Sequence, residues 1–211
     1  MRSLRGDFTP SLQAGPAAEV LSLASRRSGA AANLVGQAPE LARTCRAMAQ
    51  RFHRRGKLIA FGSGMAGSDA QHVTVEFLHP VIVGKRALPA VRLLADVASL
   101  TGAAESDGWA EAFASPLRQM ARPVDIALAL SSRRENENVR RALHVARDRG
   151  LLTVSIVGEP DGPSAAVDHR IVVGSGDPLV AREIQVTACH VLWEIVHVFL
   201  EQPATLTNTE A

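Results

Sequence analysis

Short apolar runs alternate with stretches of helical spacing along most of the chain. Lys57–Phe61, Pro89–Leu94, Asp125–Leu130, Leu151–Val157 and Arg170–Val173 are apolar almost throughout and are bounded by Gly, Pro or polar clusters, which predicts five short strands. Ala17–Leu34 and Pro39–Arg54 carry apolar residues at helical spacing on either side of Gly36-Gln37, the pattern of a helical hairpin. Further helices are predicted after the first strand, with Ser68 or Asp69 as cap, and over Val97–Ala104, Trp109–Met120, Asn136–Arg149 and Pro178–Leu200, with a short one after the turn Gly158–Pro163. Strands that are continuously apolar, rather than alternating, are buried on both faces. With helices between them they predict an α/β three-layer sandwich around a five-stranded parallel sheet, preceded by the N-terminal hairpin. Residues 17–202 form one domain in this reading, with residues 1–16 a flexible N-terminus and 203–211 a flexible, polar tail.

Composition narrows the functional classes. At 211 residues with 46% hydrophobic content the chain is long enough to bury a substantial single core. A net charge of +2 is too small to favour nucleic acid or an anionic membrane as partner. There is no Tyr and there are only six Phe and two Trp, which leaves no stacking platform for single strands. Two cysteines, Cys45 and Cys189, do not make a disulfide framework. The first residues lack an apolar signal core, and no apolar run approaches the ~20 residues of a membrane span. The expectation is a cytoplasmic protein with no membrane and no direct nucleic-acid partner.

The candidate chemistry concentrates in Lys57–Leu78, KLIAFGSGMAGSDAQHVTVEFL. A glycine loop between a strand and a helix presents backbone N–H groups beside the positive helix end, a place for an anion. His72 and Glu76, at i and i+4, share one face of that helix. Gly62-x-Gly64-x-x-Gly67 matches the dinucleotide fingerprint by letter, but no acidic residue follows at the required distance and two helices precede the motif. No Gly-Lys-Ser/Thr follows either, which excludes a P-loop. Ligands of doubly wound sheets bind outside the strand carboxyl ends, so Ser131–Asn136 and Gly158–Pro163 are further candidate walls. The plainer alternative for the former is a polar loop in which Ser131 or Ser132 caps a helix.

From about Ala38 to Leu200 the chain resembles the SIS (sugar isomerase) domain family, and most of all its phosphoheptose isomerase-like branch. The resemblance rests on Gly62-Ser63-Gly64-Met65-Ala66, Asp69-Ala70-Gln71-His72 with Glu76, Ser106-Asp107-Gly108, Leu130-Ser131-Ser132-Arg133-Arg134-Glu135-Asn136, and Ile184-Gln185. It implies a phosphosugar as ligand and aldose–ketose isomerisation of the kind that acts on sedoheptulose 7-phosphate. It implies zinc held by His72, Glu76 and Gln185, with Glu76 also the catalytic base. Substrate would be held by Ser63, Gly64, Asp107, Ser131, Ser132, Arg133 and Asn136. It also implies a homotetramer whose sites are built at subunit contacts.

The chain departs from the family pattern at several of these positions. Trp193 stands where the last helix carries a His, and an indole is a donor only. Cys189, one turn after Gln185, is the first replacement ligand, since a thiolate suits zinc, with a buried core thiol the plainer alternative; His190 and His197 reach a metal only in another helix register and are otherwise packed or surface histidines. Ala66 replaces a loop Ser, and Arg133 and Arg182 are gained near the pocket. Two functions follow from the resemblance: a phosphosugar isomerase with an altered site, or a non-catalytic sensor or oligomeric scaffold for a protein partner.

Overall fold

The computed structural model describes residues 15–159 and 165–207. Its centre is a five-stranded sheet in the order β2-β1-β3-β4-β5, made of β1 (Leu58–Gly62), β2 (Ala90–Arg92), β3 (Ile126–Ser131), β4 (Leu152–Val157) and β5 (His169–Val172). Every neighbouring pair is parallel, as the continuously apolar runs predict. Side chains of successive residues alternate between two cores. Leu58, Ala60, Ile126, Leu128, Leu130, Val154 and Ile156 face α2 (Ala38–His53), α3 (Met65–Leu78) and α7 (Pro178–Glu201). Ile59, Phe61, Ala127 and Ala129 face α5 (Ala114–Met120) and α6 (Glu137–Asp148). The sheet is therefore the middle of three layers. α1 (Pro16–Gly36) and α2 form the expected hairpin, and α1 is tied to α7 by Arg27–Glu183 and Arg26–Asp177 ion pairs.

Several boundaries differ from the sequence reading. α3 begins at Met65 with Gly64 at its cap, four to five residues before the predicted cap at Ser68 or Asp69, because Gly64 takes a positive φ of 62° that turns the chain straight from strand into helix. The single helix expected over Trp109–Met120 is a 3-10 turn, Trp109–Glu111, followed by α5. The tail beyond Pro203 makes one more helical turn, α8 (Ala204–Thr207). Its Leu206 is buried against the core and its carbonyl accepts from Gln50 Nε2 at 3.1 Å, so apolar burial overrides the polar composition. The expectations for residues 1–14, for 208–211, and for most of the short helix after Gly158–Pro163 fall outside the described residues; 165–168 carry no helix.

By length and composition α7 is also apolar enough to cross a membrane. Its apolar face, with Val180, Ile184, Ala188, Leu192 and Val196, is buried in the core, and this position in the fold accounts for its composition.

Candidate functional site

Three groups of candidate residues gather around the carboxyl end of the sheet and the helix that follows β1. The first is a side-chain triad between α3 and α7. His72 and Glu76 stand one turn apart on α3, and α7 packs so that His190 meets them. His72 Nε2 lies 3.2 Å from Glu76 Oε1, His190 Nε2 lies 2.8 Å from the same oxygen, and the two Nε2 atoms are 3.2 Å apart. With metal–ligand bonds of about 2.0–2.1 Å, tetrahedral ligands stand roughly 3.3 Å from one another, so this triangle is close to one face of a zinc tetrahedron. Glu76 Oε2 is buried and has no hydrogen-bond partner among the described residues. The two imidazoles are nearly half exposed, which leaves a further coordination position open to solvent. A cavity of about 210 Å³ opens beside the triad and is walled by Ile82, Trp193 and Glu194.

The other expected ligands are placed differently. Gln185 is fully buried; its Nε2 donates to the carbonyls of Ser131, at 2.7 Å, and Ile156, at 3.1 Å. It thus pins α7 to the ends of β3 and β4 and leaves its Oε1 buried without a partner among the described residues. Cys189 is turned into the core and stands outside the group formed by His72, Glu76 and His190. Burial, with Glu76 and Asp69 adding to it, pushes the Cys189 thiol above its ordinary range. His197 is packed, with both ring nitrogens against backbone carbonyls, of Trp193 at 2.8 Å and of Arg86 at 3.0 Å. Sequence periodicity separates Cys189 from His190 by about 100° of helix, but which of them looks at α3 depends on how α7 is rotated in the packed molecule.

The second group is the glycine loop. Gly62, Ser63, Gly64 and Gly67 line a cavity of about 240 Å³ with Arg92, Leu94, Trp109 and Phe113. Ser63 Oγ donates to Asn138 Oδ1 at 3.0 Å. The third group is the loop after β3. Arg133, Arg134 and Asn136 border a shallow basic concavity with Glu135 and Arg140. Arg133 pairs with Glu159 at 2.8 Å, with Arg134 at 3.7 Å from the same carboxylate. Ser131 is buried at the end of β3, and its carbonyl accepts from Gly158 N at 3.0 Å; the Ser132 carbonyl packs on Gly158. Arg182 makes a two-pronged pair with Asp69, which occupies both. Asp107 stands apart at the end of α4 (Val97–Asp107), where it accepts from Ser115 Oγ.

The sequence reading placed His72 and Glu76 beside each other, set His190 aside, and did not single out Arg92. The signal for Arg92 was a lone cation inside an apolar run, between Val91 and Leu93. Gly67 and Glu76 are nine residues apart on α3, so by helical geometry they lie on opposite sides of it, about 13 Å apart along the axis. The glycine-loop cavity and the His72–Glu76–His190 triad are therefore separate features of one chain.

Together these features define a three-layer α/β protein with candidate sites around a strand-to-helix glycine loop and the helix behind it. The model of the SIS domain matches residues 25–158. The phosphoheptose isomerase of Desulfovibrio desulfuricans is 33% identical over 166 residues, 78% of this chain and 79% of that protein. The structure of a phosphoheptose isomerase from Francisella tularensis has the same fold, with a TM-score of 0.79 at 23% identity, covering 88% of this chain and all of that one. The phosphoheptose isomerase of Neisseria gonorrhoeae follows with a TM-score of 0.73. The chain belongs to the SIS domain family, in its phosphoheptose isomerase-like branch.

Proposed function

We propose that this protein is a phosphosugar isomerase of the phosphoheptose type, acting on a substrate such as sedoheptulose 7-phosphate with a divalent metal, zinc by preference, at His72, Glu76 and His190. The observation that carries the reading is the triangle of two imidazole nitrogens and one carboxylate oxygen, all within 3.2 Å of one another, beside an orphaned carboxylate oxygen. Bound there, the metal would supply Lewis-acid polarisation of a substrate oxygen. Glu76 is the proposed proton carrier between adjacent carbons: Oε1 belongs to the triad and Oε2 is unengaged, so one oxygen remains for the base role. His72 and His190 hold the carboxylate in place. Gln185 is assigned a positioning role, since its amide fixes α7 against the ends of β3 and β4. Ser63, Gly64, Ser131, Ser132 and Asn136 remain the proposed substrate contacts; Arg133, held by Glu159, and Asp107, held by Ser115, are left outside them.

Separation of the glycine-loop cavity from the triad supports a site shared between copies, and a homotetramer is the proposed assembly. Val81, Val83 and Ile82, in the loop after α3, are exposed apolar residues, the first two 85% and 100% exposed, and suit burial against another copy. A cytoplasmic location completes the proposal.

Metal analysis of protein purified without chelator tests the reading, alongside turnover of sedoheptulose 7-phosphate. About one metal ion per chain is expected, lost in His72→Ala, with turnover falling at least 100-fold in Glu76→Gln. Metal-free wild-type protein, or turnover that survives Glu76→Gln, overturns the assignment; metal and phosphosugar binding without turnover would make it a sensor.

A further inference from the structure

We propose that Arg92 is the phosphate-binding cation of this chain and that it holds the anion at the glycine loop. The inference rests on the phosphosugar reading and names the residue that anchors the phosphate within it. Arg92 ends the edge strand β2, in register with Ala60 of β1, and so stands at the carboxyl end of the sheet. Its Nη2 lies 3.8 Å from the point where a Cβ on Gly67 would stand, which puts the guanidinium against the first turn of α3. That helix has no side-chain cap; the Gly67 amide donates to the Gly64 carbonyl at 3.0 Å, and Ala66 in the first turn supplies no hydroxyl.

Two further observations point to an anion. Among the described residues, no carboxylate lies in ion-pair range of Arg92, whereas Arg133, Arg170 and Arg182 are each paired, with Glu159, Glu135 and Asp69. Asn138 is 1% exposed, its Oδ1 receives Ser63 Oγ, and its Nδ2 is a buried donor without a partner. An unpaired guanidinium and an orphaned amide donor thus flank the same glycine loop, with no acceptor supplied by the described chain. The cavity at the guanidinium is lined by Ser63, the partner of Asn138, and is walled on one side by Leu93, Leu94 and Phe113; apolar walls lower the local dielectric and strengthen a charge-assisted contact. A phosphate monoester meets these donors; an uncharged sugar does not.

The test measures binding of inorganic phosphate, sedoheptulose 7-phosphate and unphosphorylated sedoheptulose by calorimetry to wild type, Arg92→Ala, Arg92→Lys and Arg133→Ala. Circular dichroism and melting temperature check each fold. Arg92→Ala is expected to weaken both phosphorylated ligands roughly 10-fold to 100-fold, the range for a hydrogen bond to a charged group. Arg92→Lys is expected to recover part of this loss, and Arg133→Ala to bind as wild type does. Phosphate affinity unchanged in folded Arg92→Ala but lost in Arg133→Ala would place the anion at the loop after β3, overturning the role of Arg92 while leaving the phosphosugar reading intact. Wild-type protein that binds neither phosphorylated ligand would overturn both.

Discussion

His190 and Cys189 are sequence neighbours with opposite fates. One reaches the carboxylate of Glu76; the other is 2% exposed, in the core. His190→Ala should therefore empty the proposed metal site, whereas Cys189→Ser should leave metal content unchanged, as read by elemental analysis of the purified variants. A cobalt-substituted sample should show ligand-field bands without a thiolate charge-transfer band. At this scale the sequence displayed the residue types but not their partners. His72 and Glu76 were legible because both sit on one helix, where i and i+4 spacing fixes their proximity. His190 was not, since its neighbours come from an element more than a hundred residues away. The same holds for arginine: Arg133 stood in the recognisable loop and is bound to Glu159, while Arg92, without a carboxylate partner among the described residues, had no motif around it.

Elements are held at their ends by a few buried polar clamps. Asp125, whose side chain is fully buried at the start of β3, accepts from the backbone N–H groups of Lys57 and Arg122 at 3.0 and 2.9 Å and pairs with Lys57 Nζ. Burial works to raise its pKa, but the bonds from Lys57 and the two amides outweigh this and hold it below the ordinary carboxylate range. A carboxyl depressed in the folded state stabilises the fold fully above the unfolded value near pH ~4, and that contribution is lost as pH falls through the folded value. Asp125→Asn should thus cost about 3 kcal/mol at neutral pH and flatten the acid limb of the stability curve, measured by urea unfolding from pH 7 down to 3. At the other end of the sheet, a Cβ on Gly158 would stand 2.1 Å from the Ser132 carbonyl oxygen. Gly158→Ala should lower stability by roughly 1–3 kcal/mol in the same assay and disturb the loop after β3. Strand and helix positions were legible at this scale because burial on both faces leaves its mark on every residue of a strand. The cap of α3 and the turn of α8 were not: the first follows from the backbone of Gly64, the second from a place for Leu206 against the core.

On the scale of the whole molecule, the proposed phosphate anchor and the metal triad occupy opposite sides of α3, which makes complementation between copies measurable. Mixing the impaired Arg92→Ala and Glu76→Gln proteins, with subunit exchange, should raise turnover at limiting substrate above that of either alone if one copy's cavity serves another's triad. Val83→Asp should shift the assembly towards smaller species in analytical ultracentrifugation, because a charge would be buried in the proposed contact. The sequence by itself determined the α/β class, the five parallel strands, the hairpin and the family, since these depend on local periodicity and on motifs contiguous in the chain. Tertiary structure alone decided which side chains meet: that α7 turns His190 rather than Cys189 towards Glu76, that Gln185 clamps β3 and β4, and that Arg92 faces the glycine loop with no carboxylate partner among the described residues. The physical reason is that helix and strand geometry fix a residue's direction relative to its own element, whereas the rotation of one element against another is set by how all the buried side chains pack together.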